Sequence, residues 1–530
     1  MTLPYLPDDC IYHILHHLQN DRSTLFNCLL VNRFWCKSTI PLLYANPFVN
    51  ITEKNYSIIL TLIFCFNKEE TLHLKNVLDI NQINNIDLDE EYNPLFEYPK
   101  YLEKYNYFTI NSVINRCLLK NCLNLPTSHI KIFDITPIFH RSILRQSRNI
   151  KQLDILLYLF YIKSFNNFNV QNFTSNLTRL NSLSFNFHLV GSVYNEIGQE
   201  FLSNIANICL NLRKLIIKLP RTPRFLSHHV TSNNLINSTT SEKFCTIIQN
   251  QNKLKKFKIM NCYSSLNNIL LSLEFQKNSL VHVEFTSTNF NNVSLKNLKG
   301  LYNLKYLRFE NCEGILLDQC EVLNITSFKL MKLSLKRNNW IVDVTSFMIK
   351  YLGASLQRLL VDNPTIPLIE NVLMFCSKLI FLKIRINYHF DLSVLPFFKN
   401  LRIRILNINI TSYNPNNINE FFINLANNIP TNISNISIYI YSRNSNKFLR
   451  FKEFLENCHN DFKIINLNHI IELGFLKIVL KYIERSNNNL KIFGMLGLDK
   501  EFNDEELNLL NQIKDKGVKI VEYYSFYNYL

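Results

Sequence analysis

Glycine is almost missing from this chain: nine in 530 residues, none of them in a G-x-G-x-x-G or G-x-x-x-x-G-K arrangement. Such loops let backbone N–H groups close on phosphates, so the chain offers no nucleotide cradle of that kind. It also has no G-x-S-x-G turn to expose a nucleophilic serine, and no C-x-x-C pair for a zinc ribbon or redox couple. Independent catalysis is not expected, and no cofactor is implied. Long apolar runs are absent as well. The longest, 58–66, is interrupted by Thr61 and falls far short of the ~20 residues that cross a bilayer. The first ten residues show neither a basic n-region nor an apolar h-region, so no secretory signal is read. A soluble protein of the cytoplasm or nucleus is therefore expected, without a membrane partner. Thirteen cysteines, an odd count with no signal, then read as reduced thiols packed as small hydrophobes.

What is present is core-forming material, 47% hydrophobic, with 40 Phe and 25 Tyr, and a formal net charge of +16. A chain this long exceeds a single core, so it holds several domains or one elongated repeat array.

Residues 6–48 read as three short amphipathic helices. Pro7 suits a first helical position, and Asp8 and Asp9 follow where carboxylates complement the helix dipole. Ile11, Ile14, Leu15 and Leu18 make one apolar stripe, which Gln19, Asn20 and Asp21 end. A second helix starts near Ser23 with Leu25, Cys28 and Leu29 inward. Asn32 is the N-cap of a third, which carries Phe34 and Trp35 and which Pro41 is expected to punctuate. So little apolar surface makes a module that leans on a partner. Cys10, His13 and His17 fall at i, i+3 and i+7 with ligand-like spacing, and Cys36 is the nearest fourth donor. The simpler reading has Cys10 packing and the histidines at the surface, with no metal.

Leu6-Pro7, then Ile11, Leu15 and Leu18, then Leu25 and Cys28, and above all 30–35 (Leu-Val-Asn-Arg-Phe-Trp) followed by 41–44, resemble an F-box in order and spacing. Tyr44 stands where that family often has Trp. The resemblance covers under a tenth of the chain. It implies a Skp1-type adaptor bound at 1–48 and, through the adaptor, a cullin, with Leu6, Pro7, Ile11, Leu15, Leu18, Val31 and Trp35 at the interface or in the small core.

Residues 49–149 read as a linker and first capping segment, with a buried helix in 55–66. An acidic, aromatic stretch at 79–103 reads as a solvated spacer or as a docking segment for a basic surface. From about residue 150 a repeat appears, L-x-x-L-x-L with bulky apolar substitutes. Its first positions at 254, 280, 304, 330, 356, 379 and 403 step by 26, 24, 26, 26, 23 and 24. Asn261-Cys262 and Asn311-Cys312 close two units. This resembles a leucine-rich repeat. The expected fold is α/β: an N-terminal three-helix F-box, then, over 150–530, an irregular leucine-rich-repeat solenoid with a curved parallel sheet, helices on its convex side and a C-terminal cap. Helices are expected over 266–273, 342–351 and 418–427, and an inserted loop over 218–241. After Ile438 the pattern weakens, leaving Leu490-Phe493-Met495 and a last strand at 518–526.

Alternation along each strand turns the residues between the buried pair outward, onto the concave face. Those residues include Lys256, Lys258, Tyr306, Arg308, Lys332, Arg358, Phe381, Lys383 and Arg385. Cations dominate the face, which therefore suits an acidic or phosphorylated protein segment, with forked hydrogen bonds from the arginines and apolar anchors from Tyr306 and Phe381. The expected function is that of a non-catalytic substrate receptor of a Skp1-cullin-F-box ubiquitin ligase. Two alternatives stand beside it: a repeat scaffold without ligase role, and a nucleic-acid binder suggested by the basic balance. The spread of the charge and the lack of a recognition motif argue against nucleic acid.

Overall fold

A computed structural model describes residues 6–49, 57–78, 82–83, 86–87, 94–121, 128–187, 196–221, 238–325, 328–387, 390–411, 418–441, 450–486 and 489–523. The chain divides into two compact units, Met1–Leu280 and Val281–Leu530.

The first unit opens with α1 (Asp8–His17), α2 (Arg22–Cys28) and α3 (Arg33–Tyr44). Pro7 takes the N-cap position of α1, one residue earlier than expected. Asp21 does more than end that helix. Its carboxylate accepts from Thr24 N at 3.1 Å and caps α2. Asn32 caps α3 through Trp35 N at 3.0 Å, as its side chain predicts. The expected break at Pro41 is corrected, since Pro41 lies inside α3. A proline there removes one helical hydrogen bond. Burial of Ile40 and Leu43 on either side, and the Tyr44 ring 4.5 Å from that of Tyr98, keep the last turn helical.

The module leans on its own chain. The Ala45 carbonyl accepts from Glu103 N at 2.8 Å and Lys104 N at 3.2 Å. The Glu103 carbonyl accepts likewise from Lys151 and Gln152, and the Lys151 carbonyl from Asn181 and Ser182. The end of α3 thus occupies the place of one further rung below a ladder of five parallel strands, Lys104–Asn106, Gln152–Leu156, Ser182–Asn186, Lys214–Lys218 and Lys256–Met260. The ladder's first strand precedes the repeat legible in the sequence, because after Leu102 tyrosines, Tyr105 and Tyr107, stand where leucines would mark it. The expected helix in 55–66 is Ser57–Ile63, and Leu266–Leu273 is helical as expected. Of the acidic stretch, 79–81, 84–85 and 88–93 lie outside the described residues. Of the inserted loop, 222–237 do, while 238–241 belong to the helix Ser238–Gln249.

The second unit is a ladder of ten parallel strands in chain order: His282–Thr286, Tyr306–Glu310, Lys332–Lys336, Arg358–Asp362, Phe381–Ile386, Ile405–Ile410, Asn435–Ile440, Ile464–Ile470, Ile492–Leu496 and Lys519–Glu522. In strand after strand the two pattern residues are closed off from solvent, for example Leu307 and Phe309, Leu333 and Leu335, Leu359 and Val361. Each such side chain contributes about 1.5–3 kcal/mol by leaving water, and no single repeat could bury it alone. Helices Val342–Leu352 and Ile418–Asn428 match the expected spans within one residue. Cys262 in the first unit and Cys312 in the second are fully buried, each after an asparagine at positive φ. The fold is the α/β leucine-rich-repeat solenoid expected, preceded by N-terminal helices.

The strand Ile464–Ile470 was not read from the sequence. Its signature, Phe462-Ile465-Leu467, is present with phenylalanine in the first place. Of the last expected strand, 519–522 is observed and 524–526 lie outside the described residues.

Candidate functional site

Two surfaces collect the residues singled out above. The first is the helical module, whose core is closed by Ile11, Leu15, Leu25, Cys28 and Leu43, with Leu18, Phe34 and Trp35 packed against its edge. Ile11 and Leu15 are therefore inside, Leu18 and Trp35 half-buried, and Leu6, Pro7 and Val31 exposed. Sequence periodicity placed Ile14 in the stripe, but the structure leaves it 40% exposed. Tyr12, Phe26 and Leu30 are also exposed, the last by 79%. Tyr12 and Phe26 went unnoticed because a stripe analysis scores what faces inward and discards the rest. Tyr44 lies half-buried against Tyr98, and burial pushes its phenol up to about 12. Cys10, His13 and His17 all face solvent on α1. Among the described residues no three His, Cys, Asp or Glu side chains gather as a metal site, and no helix is long and apolar enough to cross a membrane.

The second surface is the open face of the sheet. In the first unit, Lys256 pairs in register with Lys214, and Lys258 with Ile216. Both lysines are half-buried. The Lys218 ammonium lies 3.7 Å from the Asp154 carboxylate.

In the second unit the register arranges the outward residues in three rows. The first row runs His282, Tyr306, Lys332, Arg358, Phe381. Its members stack on one another: His282 on Tyr306 at 3.9 Å, the Lys332 ammonium 4.7 Å from the Tyr306 ring, and the Arg358 guanidinium 4.7 Å from the Phe381 ring. Cation–π contacts of this kind hold a cation at about 0.5–1 kcal/mol each. Phe381, expected as an exposed anchor, is 6% exposed beneath Arg358.

The second row runs Glu284, Arg308, Ser334, Leu360, Lys383, Asn407. Arg308 reaches Glu284 at 3.6 Å and pairs closely with Glu310. In the third row, Arg385 pairs with Asp362 at 3.3 Å. Two of the three arginines expected to grip a ligand thus hold carboxylates of their own sheet. The face is cationic mainly through lysines. Burial, then the charges of Lys336 and Lys332, lower Lys383 to about 8, and burial followed by Arg308 lowers Lys336.

Where these rows end, a hollow of ≈ 480 Å³ opens, walled by Lys336, Arg337, Lys383 and Arg385 against Glu310 and Asp362, with Tyr439 and Tyr441 on its far side. Arg337 and Tyr441 carry no mark in the repeat pattern because they lie beyond strand ends, whereas Tyr439 continues the row of Arg385 and Asn409 and was open to the same alternation.

No family model matches the chain, and no curated protein matches it. Solved structures similar to it include a chain of the yeast Rad7–Elc1 complex, at 12% identity and TM-score 0.35, covering 79% of this chain and 93% of that one. An internalin, InlF, of Listeria monocytogenes is similar at 12% identity and TM-score 0.28, over 85% of this chain and 93% of its own. The leucine-rich-repeat-containing protein LegL7 of Legionella pneumophila stands at 10% identity and TM-score 0.29, over 65% and 94%.

Proposed function

We propose that this chain is a non-catalytic substrate receptor of a Skp1-cullin-F-box ubiquitin ligase, with the three-helix module docking a Skp1-type adaptor and the repeat face holding a protein substrate. The observation that carries the reading is on the module. With its core already closed, it still exposes Leu6, Tyr12, Ile14, Phe26, Leu30 and Val31. Large apolar side chains left in water on so small an element mark an interaction surface. Several of them fall in the segments that resemble an F-box. The mechanism is proximity: the array holds the substrate while the adaptor end brings the ligase, and no group of this chain needs to react. Nucleic acid is less well supported, because Arg308 and Arg385 already hold carboxylates and a phosphate backbone would compete with them.

Co-purification of the full chain with a Skp1-type adaptor tests this. Leu6→Ala with Pro7→Ala, and separately Leu30→Asp with Val31→Asp, should abolish capture while leaving the solenoid folded. Capture that survives both double variants, or no capture by the native chain, overturns the receptor reading.

A further inference from the structure

Arg308 and Arg385 on the open face of the second unit hold carboxylates of their own sheet, but the edge at which its strands begin is charged differently. From Tyr306–Glu310 onward each strand is entered through a buried apolar residue, Leu304 and Leu330 first, Leu490 and Val518 last. The residue that follows it is joined to its counterpart on the next rung through the backbone. Met331 N donates to the Lys305 carbonyl, Gln357 N to the Met331 carbonyl, and so on to Lys519 N on the Lys491 carbonyl, all at 2.8–3.0 Å. One row therefore runs along the edge in steps of about 4.8 Å. Lys305, Arg404, Lys463, Lys491 and Lys519 belong to it, and the residues just before the buried ones add Lys329, Lys378 and Arg402. All eight side chains are exposed. Where the row itself turns apolar, at Met331 and Ile380, the cation stands on the other side of the buried residue, at Lys329 and Lys378.

The whole chain has 57 basic side chains to 41 acidic ones. These flanking positions hold eight cations to one carboxylate, Asp461, to which Asn489 donates at 3.3 Å. Among the described residues none of the eight cations forms an ion pair. Along the sequence they are scattered, because they recur about once in each repeat, and stacking the repeats gathers them into one line. From Lys305 to Lys519, at about 4.8 Å a rung, that line is roughly 38 Å long, or about one turn of a nucleic-acid duplex. We infer that this edge is a binding site for the phosphate backbone of a nucleic-acid duplex, contacted without regard to base sequence. The lysines and arginines meet the phosphates, and in the two rungs without a cation the amides of Gln357 and Asn432 donate to phosphate oxygens. A duplex is favoured over a single strand because none of the flanking positions carries an aromatic side chain on which free bases would stack. It is favoured over an acidic protein segment because its phosphates repeat at a fixed pitch, as the rungs do. The carboxylates that would compete with phosphate on the open face are missing here. The site uses no residue of the helical module and goes beyond the receptor reading without resting on it.

The test is fluorescence anisotropy of a labelled duplex about two turns long, titrated with the full chain over a series of salt concentrations. Binding should have a Kd of about 1–100 µM at physiological salt and weaken with a slope, in log K against log salt, of about −0.9 for each cation engaged. Duplexes of unrelated sequence should bind alike. Lys463→Gln, Lys491→Gln and Lys519→Gln together should make the slope shallower by about three and weaken binding by about tenfold or more. Lys350→Gln, Lys477→Gln and Lys481→Gln together remove the same charge from exposed positions on the helices Val342–Leu352 and Leu473–Arg485, and should leave affinity and slope as they are. All six positions are exposed, and matching thermal melts of the two variants by circular dichroism check that both remain folded. No duplex binding by the native chain, or equal loss from the two triple variants, overturns the inference. So does displacement of the duplex by poly-L-glutamate of matching charge as readily as by unlabelled duplex, because the edge then takes an acidic protein. Tighter binding of a single strand than of the duplex overturns the choice of ligand. Adaptor capture is scored separately and should be the same in both variants, so duplex binding without capture supports the edge site and removes the receptor reading, and the reverse removes the edge site alone.

Discussion

The helical module and the open face of the second unit both carry more side chains than their cores absorb, and they dispose of them in opposite ways. The module closes a core of five residues and leaves apolar side chains such as Leu30 and Phe26 exposed among the described residues. The sheet face carries charges, and nearly all of those singled out above are spoken for within the sheet: Arg308 by two glutamates, Arg385 by Asp362, Arg358 by the Phe381 ring. The module's surplus is apolar and faces water, whereas the sheet's surplus is charged and is held within the sheet, at the cost of cations crowded closely enough that burial and the charges of Lys336 and Lys332 lower Lys383 to about 8.

The largest expected effect breaks the module alone. Leu15 and Leu25 are fully buried, so Leu15→Ala or Leu25→Ala should cost roughly 2–5 kcal/mol. Leu30→Asp and Val31→Asp, on exposed positions, should each stay within about 0.5 kcal/mol. The chain has only two tryptophans, Trp35 in the module and Trp340 in the second unit. Urea melts followed by fluorescence in Trp340→Phe and Trp35→Phe backgrounds therefore read the two units separately. Comparable destabilisation by Leu30→Asp and Leu15→Ala would mean that Leu30 belongs to the core.

The next effect is on the sheet face. Arg308→Met takes the guanidinium away from Glu284, which is 5% exposed and keeps His282 at 3.4 Å, and from Glu310. Removing that counter-charge from the buried Glu284 should cost roughly 2–4 kcal/mol in the Trp340 melt. The Trp35 signal should not move. A cost under 0.5 kcal/mol would show that the arginine is available to a ligand after all.

Acid and alkali separate the units further. His140 is fully buried and lies 2.8 Å through Nδ1 from the Tyr105 hydroxyl, and burial lowers it to about 3. Unfolded, it takes up a proton near pH 6.5. The unfolded state therefore binds more protons between about pH 6.5 and 3, so the stability of the first unit is intact above that window and falls as pH drops through it, by about 2 kcal/mol at pH 5. Lys383, lowered to about 8 by burial and then by Lys336 and Lys332, works in another window. Against an unfolded value near 10.4, its unfolded form again binds more protons between about 8 and 10.4, and the second unit gains stability as pH rises through that range. Lys383→Met should flatten the alkaline rise in the Trp340 melt, and His140→Phe the acid fall in the Trp35 melt. A shared pH profile for both probes would contradict the assignment.

The ladder was legible in the sequence because each strand repeats one requirement, two apolar residues one apart, and stacking forces a constant step. It faded wherever that requirement was met by another residue. Phe462 opens the strand Ile464–Ile470, and Tyr105 with Tyr107 takes the second and third places of the first rung after Leu102. Pro41 predicts an end to α3 on local grounds alone, while the packing of Leu43 and Tyr44 that overrides it is tertiary. The module residues sorted into core and surface only with coordinates, since a 3.6-residue period names a face but not what covers it. On the sheet, alternation names the residues between each buried pair, and these line up in register from strand to strand, Phe381 being buried among them. Which cations remain for a ligand depends on pairing across strands, and spacing along one strand does not contain that.

The smallest effect is at Arg337, which follows the strand Lys332–Lys336 at positive φ where Asn311 and Asn363 follow the strands on either side. If Arg337 were there for the fold, replacing it with the residue used at Asn311 and Asn363 would be neutral or harmful. If it is held at φ 52 against its preference, Arg337→Asn should relieve the backbone and raise the Trp340 melt by about 0.5–1 kcal/mol. The Asp362 carboxylate would keep its hydrogen bond, since the donor is the backbone N–H. Stabilisation is the pattern of a residue kept at a cost to the fold, because selection for stability alone would have placed asparagine there. Destabilisation would instead make Arg337 a structural residue, held at that turn by what its side chain packs against.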